Sequence, residues 1–517
     1  MGVLPDWLTV LPDAETMRGV DRWAIEERGI AGLDLMERAG AAVARALEEL
    51  AGDGRVIVVC GKGNNGGDGL VVARLLRNAG RVVQVLCTSA PGEFSGDARV
   101  QLERLPGNGP APLADGEWDG AGAVVDALLG TGFQGEPHGA VGEAIDAINR
   151  TGVPVVSVDV PSGVDASSGV VSGSAVRASV TVTFHAGKPG LWIRPGKEHA
   201  GEVQVADIGI PRGSLLEPPG RRPAIGLIEP AVLGLLPRRG GSSTKFTSGH
   251  VVVIGGSHDL IGAPRMAAQA AMRAGAGYIT ACVPASMQAV LQGLGPAEMM
   301  TRGLADDQGD LTPSAIEEAL AETGRAGALA LGPGLGRNEQ ALAFARELAR
   351  RAQAPLVLDA DGLNAHAGRL QELAARTGET VLTPHAGELG RLLALDSAEV
   401  ERERLRHVLS AAARAHAVVV LKGDDTLVAD SDGRVAVSRG GSPGLATAGS
   451  GDVLTGVLAA LLSQGLEAFS AAAAAVQLHA QAGRRAAYLQ GSAEGVIATD
   501  VIAALPGARL SSVEDGA

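Results

Sequence analysis

The stretch Val56-Ile-Val-Val-Cys60-Gly61-Lys-Gly63-Asn64-Asn65-Gly66-Gly67-Asp68-Gly69-Leu70 decides the fold of the first part of the chain. Its β-branched apolar run reads as a strand buried on both faces, followed by a glycine loop and a helix. Gly61, Gly63 and Gly66 satisfy G-x-G-x-x-G in that setting. Glycines let backbone approach a phosphate, and the following helix N-terminus favours the anion. A lone match of this kind is weak. The next strand-like run ends at Cys87-Thr88-Ser89 with no acid for a ribose 2′-hydroxyl, which speaks against an ordinary hydride-transfer domain. The Asn64–Gly69 string is more specific, because a phosphate loop alone needs no carboxamides and no Asp68. The plainer reading is a set of Asx caps on a tight turn.

Outward from this stretch, the same alternation continues. A helical run is expected over Ala14–Glu49, strands at Arg55–Cys60, Arg81–Cys87, Ala123–Leu128, Val153–Val160 and Val180–Phe184, and helices at Gly69–Ala79 and Val141–Asn149. Strands alternating with helices imply a mostly parallel, doubly wound sheet. Prolines and glycines break all periodicity from Pro211 to Gly241. A boundary near residue 222 follows, giving domains 1–222 and 223–517. The second block repeats the α/β pattern, with strands at His250–Gly255, Gly277–Val283, Ala326–Leu331, Ala354–Asp359, Glu379–Thr383 and Ala417–Leu421. Its Ala-rich helices are expected at Asp452–Leu462 and Ala468–Tyr488, and the acidic tail after Arg509 is expected to be disordered.

Composition narrows the function. The 517 residues carry a net charge of −14 with no basic block, and only 12 aromatics, so neither a phosphate-backbone binder nor a base-stacking platform fits. Three cysteines (Cys60, Cys87, Cys282) without CxxC spacing read as reduced buried thiols. The N-terminus has no basic n-region, and Val453–Leu466 is too short to span a bilayer. A cytoplasmic protein with no membrane and no nucleic-acid partner is expected, with a homo-oligomer the common outcome.

Acids then arrive at strand ends, where open α/β sheets bind ligands. Asp126 closes one strand and Gly130-Thr131-Gly132-Phe133-Gln134-Gly135-Glu136 follows it. Asp159 closes the next and leads into Val160-Pro161-Ser162-Gly163. Such carboxylates, a hydroxyl and carboxamides could bind a cation, or one carboxylate could move a proton. A helix N-cap is the bland reading for any one of them. In the second block, Val357-Leu-Asp-Ala-Asp361, Thr383-Pro-His385-Ala-Gly-Glu388 and Leu421-Lys422-Gly423-Asp424-Asp425-Thr426 carry polar groups at strand ends. The most telling string is Ala448-Gly449-Ser450-Gly451-Asp452. Its glycines and following helix offer N–H groups to a transferring phosphoryl, with Asp452 beside the acceptor hydroxyl as base. A capped turn is the bland alternative, and no Walker A motif occurs.

Residues 10–215 resemble the NAD(P)H-hydrate epimerase domain through Met17–Asp21, Leu35–Gly40, the Asn64–Gly69 string, Asp126, Gly130–Glu136, Val158–Gly163, Phe184, Lys188–Gly190 and Asp207–Ile210. The resemblance implies that Asn64, Asn65, Gly66, Gly67, Asp68, Gly130, Thr131, Gly132, Phe133, Gln134, Gly135, Glu136 and Asp159 contact the hydrated nucleotide. It also implies that Asn65, Asp126 and Ser162 ligate potassium, with Asp159 as proton-transfer residue. Residues 240–505 resemble the ADP-dependent NAD(P)H-hydrate dehydratase, a ribokinase-like α/β/α fold. That likeness assigns Lys422, Gly423, Asp424, Asp425, Thr426 and Gly451 to the adenine nucleotide. Ala263, Gly334, Gly336, His385 and Asp452 are assigned to the hydrated dinucleotide. Mg²⁺ is expected with the ADP co-substrate. Thr244-Lys245-Phe246 and Leu260 depart from the family pattern. The implied fold is a Rossmann-like doubly wound domain joined to the ribokinase-like one. The implied function is epimerisation of R and S hydrates of NADH or NADPH, then ADP-driven dehydration of the S form. The competing reading is a vitamin-precursor kinase carrying a non-catalytic nucleotide-binding or partner-binding module.

Overall fold

The computed structural model describes residues 4–50, 52, 54–211 and 224–509. The expected boundary near 222 and the tail after Arg509 lie outside the described residues. The chain forms two compact units, Val10–Ile225 and Gly226–Ala517 together with Met1–Thr9. The first nine residues thus belong with the second unit, where the sequence reading counts them with the first. Trp7 explains it: its ring packs on Phe469, with centroids 5.9 Å apart.

In the first unit a parallel sheet runs in the order Ala111–Pro112, Val83–Cys87, Arg55–Cys60, Ala121–Ala127, Val155–Val158, Val180–Phe184, Glu202–Ala206. Alternate residues of Arg55–Cys60 serve two cores. Val56, Val58 and Cys60 pack on one face, Ile57 and Val59 on the other. Burial on both faces is why these strands read as continuous apolar runs. The order reverses between Arg55–Cys60 and Ala121–Ala127, so the binding crevice opens at their carboxyl ends.

Two expectations are corrected here. The run Ala14–Glu49 is not one helix: Ala14–Arg22 and a π-helical turn at Trp23–Glu27 end at Gly29, in left-handed backbone (φ +67°), before Gly32–Leu50 begins. The helix expected from Gly69 starts at Asn64 instead. The Asn-Asn-Gly-Gly-Asp-Gly string is therefore the first turn and a half of a helix, not a loop. Its glycines allow close packing, since a Cβ on Gly67 would lie 2.7 Å from the Met36 methyl and one on Gly69 2.5 Å from Ala127 Cβ.

The second unit's sheet is parallel from Met300–Leu304 through Tyr278–Pro284, His250–Ile254, Ala328–Leu331, Leu356–Leu358 and Thr380–Leu382 to Val418–Leu421. Leu427–Ala429 and Arg434–Val437 then add in antiparallel sense, and Ala224–Ile228 and Leu8–Val10 complete that edge. The breaker-rich segment therefore contains a strand, because Ile225, Leu227 and Ile228 bury their side chains despite the flanking prolines. Helices Gly262–Arg273, Ser450–Ser463 and Ala468–Gln490 pack closely on small side chains, with Gly456 lying against the Ala267 carbonyl. Among the described residues no helix is long and apolar enough to cross a membrane.

Candidate functional site

In the first unit a cleft of about 650 Å³ opens at the expected crevice. Asn64, Asn65, Asp68, Gly130, Thr131, Gly132, Phe133 and Asp159 line it. Gly66 and Gly67 do not; they pack against Gly61 and against Met36 and Ala98. Gln134, Gly135 and Glu136 also lie outside the lining.

Asp159 stands one residue beyond the strand Val155–Val158. Its Oδ1 accepts from Lys188 Nζ at 2.7 Å and Thr183 Oγ1 at 3.2 Å, and its Oδ2 from the Thr131 amide at 3.2 Å and from the Thr131 hydroxyl. Burial alone would raise this carboxyl, but the Lys188 ammonium and the Thr131 donors hold it below the usual carboxylate range. Two other acids of the cleft move the opposite way. Burial, with Asp159 and Asp21 adding to it, pushes Asp68 well up. Asp21 is pushed up to about 6 by the protein packed around it and by Asp159, although its side chain still opens to solvent. One carboxyl of the cleft is thus held low while Asp68, and to a lesser degree Asp21, are pushed up.

Asp126, fully buried, accepts from Ser157 Oγ and the Ser162 amide at 2.9 Å and from Ser162 Oγ at 2.5 Å. Burial raises it and these bonds oppose the rise. Asn65 Nδ2 donates to the Leu129 carbonyl at 2.9 Å, and the Ser162 hydroxyl lies 3.3 Å from the same oxygen. Asn65, Asp126 and Ser162 thus converge, and no cation pairs with Asp126 among the described residues.

In the second unit the helix Ser450–Ser463 starts after Gly449 in left-handed backbone (φ +88°), which puts Gly451 and Asp452 in its first turn. Lys422 Nζ bonds Asp359 Oδ1 at 3.0 Å, lies 3.6 Å from Glu388 and sits beside Gly451. Asp359 also accepts from Thr383 Oγ1 at 2.8 Å and Thr455 Oγ1 at 2.7 Å. Asp452 is pushed up to about 7 by burial and by the Asp359 charge, with Lys422 pulling the other way. His385 caps the helix Ala386–Leu393, its Nδ1 accepting from the Gly387 amide at 3.0 Å while Glu388 accepts from the His385 amide at 2.9 Å. The bland N-cap role therefore holds, while the side chain stays 55% exposed with its Nε2 3.6 Å from Glu388. Burial pushes its imidazole down, which favours the neutral form.

Gly334 and Gly336 are left-handed (φ +64° and +87°), and the Gly336 amide donates to Asp361 at 3.1 Å. Ala263 is half-buried in the first turn of Gly262–Arg273, and the Leu260 carbonyl lies against Gly334. Thr426 Oγ1 closes the Lys422–Thr426 turn on the Gly423 carbonyl at 2.6 Å, and Asp424 is exposed. Asp425 is turned inward, its Oδ2 accepting from Arg404 Nε at 2.9 Å with both side chains buried. Sequence reasoning missed Lys188, Thr183 and Asp21 in the first site, and Glu388 and Thr455 in the second. Asp21, Lys188 and Glu388 carried a signal, each lying inside a quoted motif.

A family model described as NAD(P)H-hydrate dehydratase matches residues 251–507, and one described as YjeF-related protein N-terminus matches 32–190. A bifunctional NAD(P)H-hydrate repair enzyme of Moorella thermoacetica is 40% identical over 511 residues, covering 96% of each chain. Its Escherichia coli counterpart is 34% identical, over 95% of this chain and 92% of that one. An ADP/ATP-dependent NAD(P)H-hydrate dehydratase from Bacillus subtilis, crystallised with ATP and Mg²⁺, is 29% identical with a TM-score of 0.47, over 54% of this chain and 96% of its own.

Proposed function

From the premise that this chain belongs to the family of bifunctional NAD(P)H-hydrate repair enzymes, we propose a division of labour between its two sites. The first unit epimerises the R and S hydrates of NADH and NADPH, and the second dehydrates the S form with ADP, giving NAD(P)H, AMP and phosphate. The observation that carries the reading is the pairing, in one chain, of a proton-poised Asp159 cleft with Asp452 at a glycine-flanked helix start.

In the first site Asp159, with its Oδ2 bonded to Thr131, is the proton-transfer residue at the hydrated ring. Asn64, Asn65, Asp68 and Gly130–Phe133 line the cleft that would orient the nicotinamide end. Asn65, Asp126 and Ser162 would hold potassium. Hard oxygen donors around a buried carboxylate that lacks a cationic partner fit such an ion. Bound there, the ion supplies fixed positive charge beside the cleft.

In the second site Asp452 takes the proton of the ring hydroxyl as that oxygen receives the phosphoryl group. Loss of phosphate from the carbon that bears it, together with a proton from the adjacent ring carbon, then restores the nicotinamide ring's double bond. Lys422, Gly423, Asp424, Thr426 and Gly451 would bind the nucleotide, and Ala263, Gly334, Gly336 and His385 the hydrated dinucleotide. No cluster of three His, Cys, Asp or Glu side chains among the described residues would hold a metal by itself. Mg²⁺ would therefore enter on the phosphate oxygens of the nucleotide, where it offsets charge on the transferring group. Soluble dinucleotides as substrates suit a cytoplasmic enzyme.

The relatives span both units at full length, which favours this reading over a vitamin-precursor kinase. Incubation of the purified chain with racemic hydrated NADH and ADP tests it. Full return of the NADH absorbance is expected. Return of half would mean that the first unit does not epimerise, and no return would remove the second activity. Substituting ATP for ADP in the same assay ranks the two nucleotides.

A further inference from the structure

Lys188 has no task in the chemistry above, yet it is among the most deeply buried large side chains of the chain, 1% exposed. Its three N–H donors go to Asp159 Oδ1 at 2.7 Å, Thr183 Oγ1 at 2.8 Å and the Phe184 carbonyl at 3.0 Å. An ammonium has three donors, so none remains for substrate. A buried charge is costly unless paired, and Asp159 is its ion-pair partner.

The backbone at the other end of this pair is strained. Asp159 has φ +67°, in a three-residue turn closed by the Val160 amide on the Val158 carbonyl at 2.8 Å. His185, at the end of the neighbouring strand, repeats the device with φ +64° and the Ala186 amide on the Phe184 carbonyl at 2.7 Å. Lys188 ties the two turns together, holding the carboxylate of one and the carbonyl of the other.

We propose that Lys188 is the positioning residue of the first site: it fixes Asp159 Oδ1 to the neighbouring strand end, keeps that carboxylate unprotonated, and leaves Oδ2, oriented by Thr131, to work on the substrate. The proposal rests on the reading of Asp159 as the proton-transfer residue. The groups that face this pair are Asp21 from helix Ala14–Arg22, Asp68 from helix Asn64–Asn78, and His185 beside Lys188. Both acids would push a proton onto Asp159 by like-charge repulsion, and the lysine is the counter-charge that prevents it. Of the three acids it is Asp68 that is pushed furthest toward its protonated form.

The test is the pH dependence of kcat/KM for epimerisation by the full chain. Lys188→Gln should move the acid limb upward by about one pH unit or more. A lysine with only a structural role would lower the rate at every pH and leave the limb in place, which overturns the proposal. Lys188→Met removes the same charge without burying a new polar group, so it decides the matter if the Gln variant does not fold. The same upward move is expected, and an unmoved limb overturns the proposal. Asp159→Asn separates the two failures. If it epimerises at the wild-type rate, the assignment of Asp159 is wrong. If it is inactive while Lys188→Gln keeps the wild-type limb, the lysine proposal alone is wrong.

Discussion

The two units use one device to opposite ends. Asp159 and Asp359 each stand one residue beyond a parallel strand, each accepts from a threonine at an adjacent strand (Thr183, Thr383), and each holds a lysine (Lys188, Lys422) at 2.7 and 3.0 Å. A second threonine, Thr131 or Thr455, takes the other carboxylate oxygen in both. The difference lies in exposure. The Asp159 side chain is 14% exposed and lines the cleft, whereas that of Asp359 is 3% exposed. In the first unit the paired carboxylate itself lines the cleft, and the lysine holds it below the usual carboxylate range. In the second unit the paired carboxylate is buried, and its charge instead raises Asp452, the acid that faces the glycine turn. An Asp–Thr–Lys cluster therefore does not define a role; the carboxyl left at the surface of the site does.

The largest effects should come from removing the two facing carboxyls separately. Asp452→Asn is expected to cut dehydration by about 10²–10⁴-fold, the usual contribution of general base catalysis, with epimerisation intact. Asp159→Asn should do the reverse. Separate assays on the R and S hydrates, resolved by chromatography, read both. If either variant damaged both activities in a protein of unchanged thermal stability, the functional separation of the sites would be broken.

A second test sharpens the contrast through pH. A base works only unprotonated, so its rate falls tenfold for each pH unit below its pKa. Asp452, at about 7, should lose roughly 30-fold in dehydration at about pH 5.5, while Asp159, below the usual carboxylate range, should lose almost nothing. The sign for stability runs the other way from that of a salt-bridged acid. Asp452 binds its proton more tightly folded than unfolded, so its contribution favours folding at low pH and is lost as pH rises from about 4 to about 7. Asp452→Asn should therefore stabilise the full chain more at pH 8 than at pH 5, as measured by thermal unfolding.

The alternation of apolar runs made both parallel sheets legible, because strands buried on two faces leave an unmistakable signature in Arg55–Cys60 or His250–Ile254. Asp126, Asp159 and Ser162 stood out for a related reason: they lie at or just beyond strand ends, where open α/β sheets bind ligands. The start of the helix at Asn64 did not, since two glycines and two asparagines have poor helix propensity and only packing against Gly61, Met36 and Ala127 overrides it. The partners of the reacting groups were hidden as well. Nothing local to Lys188 says that its ammonium reaches Asp159, 29 residues away, rather than a phosphate. Long-range pairing of a buried charge is a property of the fold.

Asp425 shows the same difficulty and gives the test with the smallest expected effect on turnover. It sits inside the Lys422–Thr426 turn, where resemblance counts every residue as a nucleotide contact. In the structure it is fully buried and its Oδ2 is held by Arg404, whose Nη1 also reaches Glu401 at 2.8 Å. Breaking a buried pair costs up to about 3–5 kcal/mol, and here it leaves the buried Arg404 with only the half-exposed Glu401 as counter-charge. Asp425→Asn should therefore lower the unfolding midpoint of the chain clearly while changing the KM for ADP less than about twofold, well under the tenfold that 1.4 kcal/mol of binding represents. Asp424 is the exposed acid of the turn and provides the control. If Asp425→Asn raised that KM tenfold at unchanged stability, the inward orientation would not describe the working enzyme, and the Lys422–Thr426 turn would hold its nucleotide through Asp425.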